Sequence, residues 1–451
     1  MSKYSAYIDK YKNEILKDLD TLVSIPSVSN EDKATLGMPF GQEVADAFSV
    51  FEEIARRLGF EIETDDGYAI SANYLNGEDY IGILGHLDVV GAQNINDWDY
   101  EPYKLTIKDN ILYGRGVNDD KGPLLINLYA IRILRDMGCS FNRPVKVIAG
   151  GAEETTWNCM KHYFSTHKQP IMAYSPDGNF PIVNGEKGIL TFEATYPKKD
   201  SVFQIVDIHG YEQDYMIPGY IEIVVHCDNL QNVDEQLQHK FKDGNAIFAF
   251  HGKSALTRNP QRAENPLFEL AKFVIENSIY FDAGFVSLLT DVSNYLKDPY
   301  GKDCNIFYED IDMGKTSIAP YMLTMQENTY AIRMDLRYPK GIKPEYIEDK
   351  LKQLFPTLQK LREKRLLYVP KESELINKLS QAYFNITKEV AEPLTKGGAS
   401  YARVLDHGIA FGATFDGYDT KCHQPNESMP LNDLLKALEI YCESIYLLAC
   451  E

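Results

Sequence analysis

Cysteine is scarce and scattered along this chain of 451 residues, seven in all, at positions 139, 159, 227, 304, 422, 442 and 450, with no CxxC pair. An odd number without paired spacing argues against a disulfide framework and against a structural zinc site built from thiolates. Long apolar runs are missing too: none approaches the ~20 residues that a membrane span requires. The N-terminal "MSKYSAYIDKYKNEILK" lacks the apolar stretch of a signal peptide. Basic residues are in deficit, 46 against 66 acidic, for a net charge of −20. That balance opposes contact with a phosphate backbone or an anionic membrane surface and favours small molecules or cations as partners. The expected setting is reducing and cytoplasmic, without nucleic-acid or membrane partners.

What is present is an ordinary globular composition, 44% hydrophobic and 25% charged, in a chain long enough for two or more domains. Ile8, Tyr11, Ile15, Leu19, Leu22 and Val23 recur at three- and four-residue intervals, which predicts an amphipathic helix ending near Pro26. A second predicted helix, "EVADAFSVFEEIARRLG", stops at Gly59. The apolar runs "YIGILG", "VKVIAGG" and "IMAYSPDG" alternate with helical patterns, as in a mostly parallel sheet covered on both faces. After "NGEKG" the strands alternate in polarity, as in "GYIEIVVHC" and "TYAIRMDLRYP", which predicts an antiparallel α+β domain. The expectation is an α/β catalytic domain over residues 1–187 and 375–451, interrupted by an inserted α+β domain over 188–374.

Ligands of open α/β sheets bind beyond the carboxyl ends of the strands. His86 and Asp88 follow "IGILG", Glu153 and Glu154 follow "VKVIAGGA", Asp177 follows "IMAYSP", and His423 comes after "GIAFGATF". Asp119 precedes the helix opened by Pro123. Singly, each has a plain structural reading. Glu153 and Glu154 suit the acidic first turn of a helix, Asp119 and Asp120 suit caps, and the histidines suit strand ends or loops. Together they suit two divalent cations, zinc in particular, with manganese and cobalt as alternatives. With Asp119 bridging, His86 and Asp177 complete one metal site and Glu154 and His423 the other. Asp88, two residues beyond His86, is placed to hold the second imidazole nitrogen.

The motifs "GHLDVV", "YGRGVNDDKGP", "GGAEETTW", "SPDGNFPIVNGEKG", "GGASYARV" and "CHQPNE" occur in this order over nearly the whole chain. Together they resemble the co-catalytic zinc exopeptidases that include aminoacylases, carnosinases and bacterial dipeptidases, and are most similar to the peptidase V type of dipeptidase. The resemblance implies a metallopeptidase domain with an inserted lid, present as monomer or homodimer, that cleaves the amide bond of a dipeptide or an N-acyl amino acid. It implies His86, Asp119, Glu154, Asp177 and His423 as ligands and Asp88 as the residue that orients His86. Glu153 falls on the general base that takes a proton from a metal-bridging water and passes it to the leaving amine. Arg337 in "MDLRYP", with Gly398 and Ser400 in "GGASYAR", falls where the family holds the substrate carboxylate.

The chain departs from the pattern in the lid. Leu256 in "HGKSALTRNP" stands where the family places a histidine that stabilises the tetrahedral intermediate, and leucine donates no hydrogen bond. Tyr215 replaces a substrate-contacting asparagine, and Ser400 replaces a threonine. Two alternatives follow: a deacylase or desuccinylase of the same chemistry, or a catalytically impaired metal-binding relative.

Overall fold

The computed structural model describes residues 2–211, 213–226, 240–242, 245–398 and 400–451. Cys227 and Ala399 of the "GGASYARV" motif lie outside the described residues. The chain forms two compact units. The first comprises Met1–Gly185, Leu367–Leu394 and Ser400–Glu451, and the second Glu186–Leu366 with Thr395–Ala399.

The first unit is α/β. Its helix Ser5–Val23 buries Ile8, Tyr11, Ile15, Leu19, Leu22 and Val23, the stripe set by the 3.6-residue period. The helix Gln42–Arg57 ends in a chain reversal at Gly59, whose φ of +88° suits a residue without a side chain. The central sheet is mixed. Strand Ile81–His86 runs parallel to Val145–Gly150 on one side and to Met172–Ser175 on the other, and Gly408–Ala410 continues the parallel set. Antiparallel strands Ala69–Tyr74 and Glu61–Asp65 close one edge, and Val183–Glu186 follows Gly408–Ala410 on the other side. All six residues of Ile81–His86 are buried, as expected where both faces of a sheet are covered. Helix Lys121–Asp136 packs on this strand and against helix Leu431–Ile445.

The parallel strands therefore present their carboxyl ends at one edge, at His86, Gly150, Ser175 and Ala410. Gly85 has a specific task there: a Cβ on it would come within 2.2 Å of Asp120 Oδ2. Without one, the Asp120 carboxylate reaches the strand end and accepts the His86 backbone N–H at 3.2 Å.

The second unit is α+β. One antiparallel sheet has the order Ser317–Met325, Thr329–Tyr338, Gly188–Pro197, Gln359–Lys364. A second is built on Tyr220–His226 and Asn245–His251. Residues of Tyr220–His226 alternate between buried and half-buried, the period-two pattern of a sheet with one covered face. Helices Leu267–Glu276 and Ala283–Tyr295 complete the core around Leu270, Phe285, Leu289 and Ile332. Among the described residues no helix is long and apolar enough to cross a membrane.

Candidate metal centre and active site

Asp119 occupies the centre of the polar cluster in the first unit. Its Oδ1 lies 3.0 Å from His86 Nε2, and its Oδ2 lies 2.9 Å from His423 Nε2. One carboxylate thus faces two histidines through different oxygens. His423 Nε2 is also 3.1 Å from Glu154 Oε1. Three overlapping groups have ligand atoms within 4.8 Å of one another: His86 with Asp119 and Asp177, His86 with Glu153 and Glu154, and Asp119 with Cys422 and His423.

At Asp88 it is the backbone oxygen, not the carboxylate, that lies nearer the second imidazole nitrogen of His86. His86 Nδ1 lies 2.9 Å from the Asp88 backbone oxygen and 3.5 Å from its carboxylate Oδ1. The two carboxylate oxygens instead accept the backbone N–H groups of Glu153 and Glu154, each at 3.0 Å. One buried side chain therefore ties the end of one strand to the loop that follows its neighbour. The Trp157 indole donates to the Glu153 carbonyl at 2.6 Å, fixing that loop from its far side.

Two plain structural readings give way here. Glu153 and Glu154 do not form a first helical turn, because the helix begins only at Asn158. Asp120 precedes helix Lys121–Asp136 without a capping hydrogen bond from its side chain. Its carboxylate is drawn to the His86 backbone N–H instead.

Sequence patterns did not single out two neighbours. Glu427 is fully buried, pairs with Arg115 at 2.6 Å, and accepts the backbone N–H groups of Gly116, Asn118 and Asp119. It holds the loop that carries Asp119. Its position in "CHQPNE", four residues past His423, was the available signal. Cys422 Sγ lies 2.9 Å from Asp119 Oδ2, so the scattered cysteines do include one at the cluster.

The electrostatics suit a cation site. Asp88, Asp119, Asp120, Glu153, Glu154 and Asp177 gather around two imidazoles. Burial opposes a charged His86, but the bonds to Asp119 and Asp88 outweigh it and hold the imidazole well above its ordinary value. Burial raises the Asp119 carboxyl, yet His423 and His86 pull it well below the usual range. Glu153 is pushed well up by burial, with Asp177, Glu154 and Asp119 adding to it against His86. Arg115 is engaged with Glu427, and Lys121 donates to the carbonyls of Leu22 and Ile25. Carboxylates this crowded repel unless cations sit among them, and imidazole with carboxylate is a donor set for zinc or a similar divalent ion. The residues fit such a group.

The expected substrate contacts divide between the units. Ser400 belongs to the first and is buried; Tyr215, Arg337 and Gly398 belong to the second. Within the second unit Met216 pairs with Leu256, and the Thr257 N–H donates to the Tyr215 carbonyl at 2.9 Å, so the two altered lid positions are neighbours. Leu256 is 38% exposed. Arg337 is buried against Asp335, with Nη2 at 2.8 Å and Nε at 3.0 Å from the same carboxylate oxygen. Burial lowers the Arg337 guanidinium from its ordinary value, Asp335 opposes this, and Arg362 and Arg258 add to the lowering.

The profile of peptidase family M20/M25/M40 matches residues 82–446. A Staphylococcus epidermidis protein named "Putative dipeptidase" is 31% identical over 465 residues, covering 98% of each chain. A Staphylococcus aureus protein of similar name is also 31% identical, over 98% of this chain and 99% of its own. Among solved structures, human carnosine dipeptidase 1 matches with a TM-score of 0.61 at 14% identity, covering 99% of this chain and 98% of the other. The aminopeptidase PepT from Bacillus cereus matches with a TM-score of 0.60 at 16% identity, covering 96% of this chain and 97% of the other. At such identities the structures establish a shared fold. The profile and the bacterial relatives go further: this chain belongs to peptidase family M20/M25/M40 and is a metallopeptidase.

Proposed function

We propose that this metallopeptidase cleaves the amide bond of a dipeptide or a related N-acyl amino acid. The observation that carries the reading is Asp119, whose two oxygens face His86 and His423 separately at 3.0 and 2.9 Å. In this reading His86, Asp119 and Asp177 hold one divalent cation, and Asp119, Glu154 and His423 hold a second. Zinc, or manganese or cobalt in its place, supplies Lewis acidity and a water acidified to near-neutral pKa when bound.

The chain's own residues supply the rest. Glu153 takes a proton from the attacking water and gives it to the leaving amine. Burial and the carboxylates of Asp177, Glu154 and Asp119 raise it above the ordinary carboxylate range. Asp88 and Trp157 keep it in place through its backbone N–H and carbonyl. In this reading Arg337, Gly398, Ser400 and Tyr215 are the residues assigned to the substrate, the first three to its free carboxylate. Replacing Glu153 with Ala should leave metal content, read by elemental analysis, unchanged and lower turnover by at least ~10². Retained turnover would refute the assignment.

A second reading, a deacylase or desuccinylase, is favoured by the pairing of Met216 with Leu256 beside Tyr215. The two departures are thus side by side, and in this reading both face the substrate. Assay of dipeptides and acyl amino acids with added zinc, manganese or cobalt separates these readings, and hydrolysis of none indicates a metal-binding relative without catalysis.

A further inference from the structure

We propose that the second unit carries an anion-binding arm, Arg258 and Arg362 flanking Arg337, and that the preferred substrates are amides whose amino-acid part bears a second carboxylate, as aspartate and glutamate do. The inference rests on the amide-hydrolase reading and adds a substrate class to it.

The arm is a connected set of contacts. Arg337 Nη1 donates to the Gly397 carbonyl at 3.3 Å, while Asp335 occupies its Nε and Nη2. Asp335 Oδ2 also accepts Thr257 Oγ1–H at 2.8 Å, which ties the chain at Thr257 to Arg337. The next residue, Arg258, lies along the same glycine pair. A Cβ on Gly397 would lie 3.5 Å from Arg258 Cβ, and one on Gly398 would lie 3.3 Å from Arg258 Nη1. Two guanidinium groups from different segments therefore border one glycine loop. The third comes from the other side of Thr257. The Thr257 N–H donates to the Tyr215 carbonyl at 2.9 Å, and the Arg362 guanidinium lies 4.9 Å from the centre of the Tyr215 ring.

Charge then points to the ligand. Of the three guanidinium groups only Arg337 is paired with a carboxylate, Asp335, which leaves two positive charges uncompensated within this set. Among the described residues neither Arg258 nor Arg362 forms an ion pair, and neither is buried. Arg333, the nearby arginine, is taken by Glu193 at 2.7 Å and by Asp214, the carboxylate beside Tyr215, at 4.0 Å. In a chain of net charge −20 this local excess runs against the background. An α-carboxylate answers one positive charge, and a side-chain carboxylate answers the other. Guanidinium is suited to both, since its fork matches carboxylate geometry.

The test compares isosteric substrates that differ only in charge. With the metal-loaded full chain, kcat/KM for Ala-Glu should exceed that for Ala-Gln by at least ~10-fold, the gap narrowing as salt is raised. In the double variant Arg258→Gln/Arg362→Gln the loss for Ala-Glu, carried by KM, should exceed the loss for Ala-Gln by about 10-fold. Equal hydrolysis of the two peptides, or equal losses in the variant, would overturn the arm while leaving the hydrolase reading intact. If neither peptide is cleaved, the hydrolase reading rests on the wider panel of dipeptides and acyl amino acids, and calorimetric titration with L-glutamate against L-glutamine decides the arm. Tighter glutamate binding that the double variant abolishes supports it, and indistinguishable binding overturns it.

Discussion

Replacing Glu427 with Gln removes one charge from a site where both carboxylate oxygens act only as acceptors. Glu427 is 0% exposed and Arg115 1%. Oε2 lies 2.6 Å from Arg115 Nη1, while Oε1 accepts from Gly116, Asn118 and Asp119 at 3.1, 3.0 and 3.2 Å. An amide has one acceptor and one donor group. If its oxygen stays on the backbone N–H groups, its NH₂ meets the guanidinium and leaves a buried charge unpaired. If it turns over, the backbone N–H groups lose their acceptor. Breaking a buried pair from one side costs about 3–5 kcal/mol. Arg115 keeps the Gln424 carbonyl at 3.3 Å and the face of Trp98 at 5.1 Å, which places the expected loss near the lower end. The two tryptophans, Trp98 and Trp157, both lie in the first unit, so urea unfolding followed by their fluorescence reports that unit. Chelator-treated protein should be used, because a ligand bound only to the folded state adds its own stability. A loss of about 3 kcal/mol at unchanged denaturant slope is expected. A loss below ~1 kcal/mol would refute the account, because it would mean that the pair and the three N–H contacts carry little of the loop's stability. The variant should also bind metal about 10–100-fold more weakly, since the Asp119 backbone loses its anchor.

Three further outcomes follow from other parts of the molecule. Leu256→His restores a donor whose absence typically costs about 10²–10³ in rate, so kcat on dipeptides should rise with KM little changed; an unchanged kcat would dismiss Leu256 as the missing donor. Zinc should slow alkylation of Cys422 on the order of tenfold, read by peptide mass spectrometry, because its Sγ lies 2.9 Å from Asp119 Oδ2; equal rates with zinc and with chelator would contradict this. Burial raises the Glu443 carboxyl, but bonds from Tyr4, Lys3 and Asn385 outweigh it and hold the group below its ordinary value. Its stabilising contribution is therefore present above the unfolded value of about 4.3 and fades as pH falls through the folded value. The stability gap between the wild type and Glu443→Gln should shrink on acidification from pH 7 to pH 3, and a constant gap would disprove the linkage.

The elements were legible in the sequence because each follows from local periodicity. The helix Ser5–Val23 buries the stripe that its spacing displays, and Tyr220–His226 alternates in burial as its residues alternate in polarity. The family was legible for a related reason: six short motifs keep their order where strands end and loops begin. Local pattern failed where a side chain answers to a partner distant in sequence. Glu153 and Glu154 read as an acidic helix start, but Asp88 captures their N–H groups from 65 and 66 positions away, and the helix begins only at Asn158. Glu427 anchors Asp119 across 308 positions, and Cys422 meets the same carboxylate across 303. By itself the sequence determined the periodic elements and the chemical class, since both rest on which residues stand near one another along the chain. Only the tertiary structure decided which oxygen of Asp119 faces which histidine and which arginines share one glycine loop, because those depend on charges and donors brought together when the strands pair.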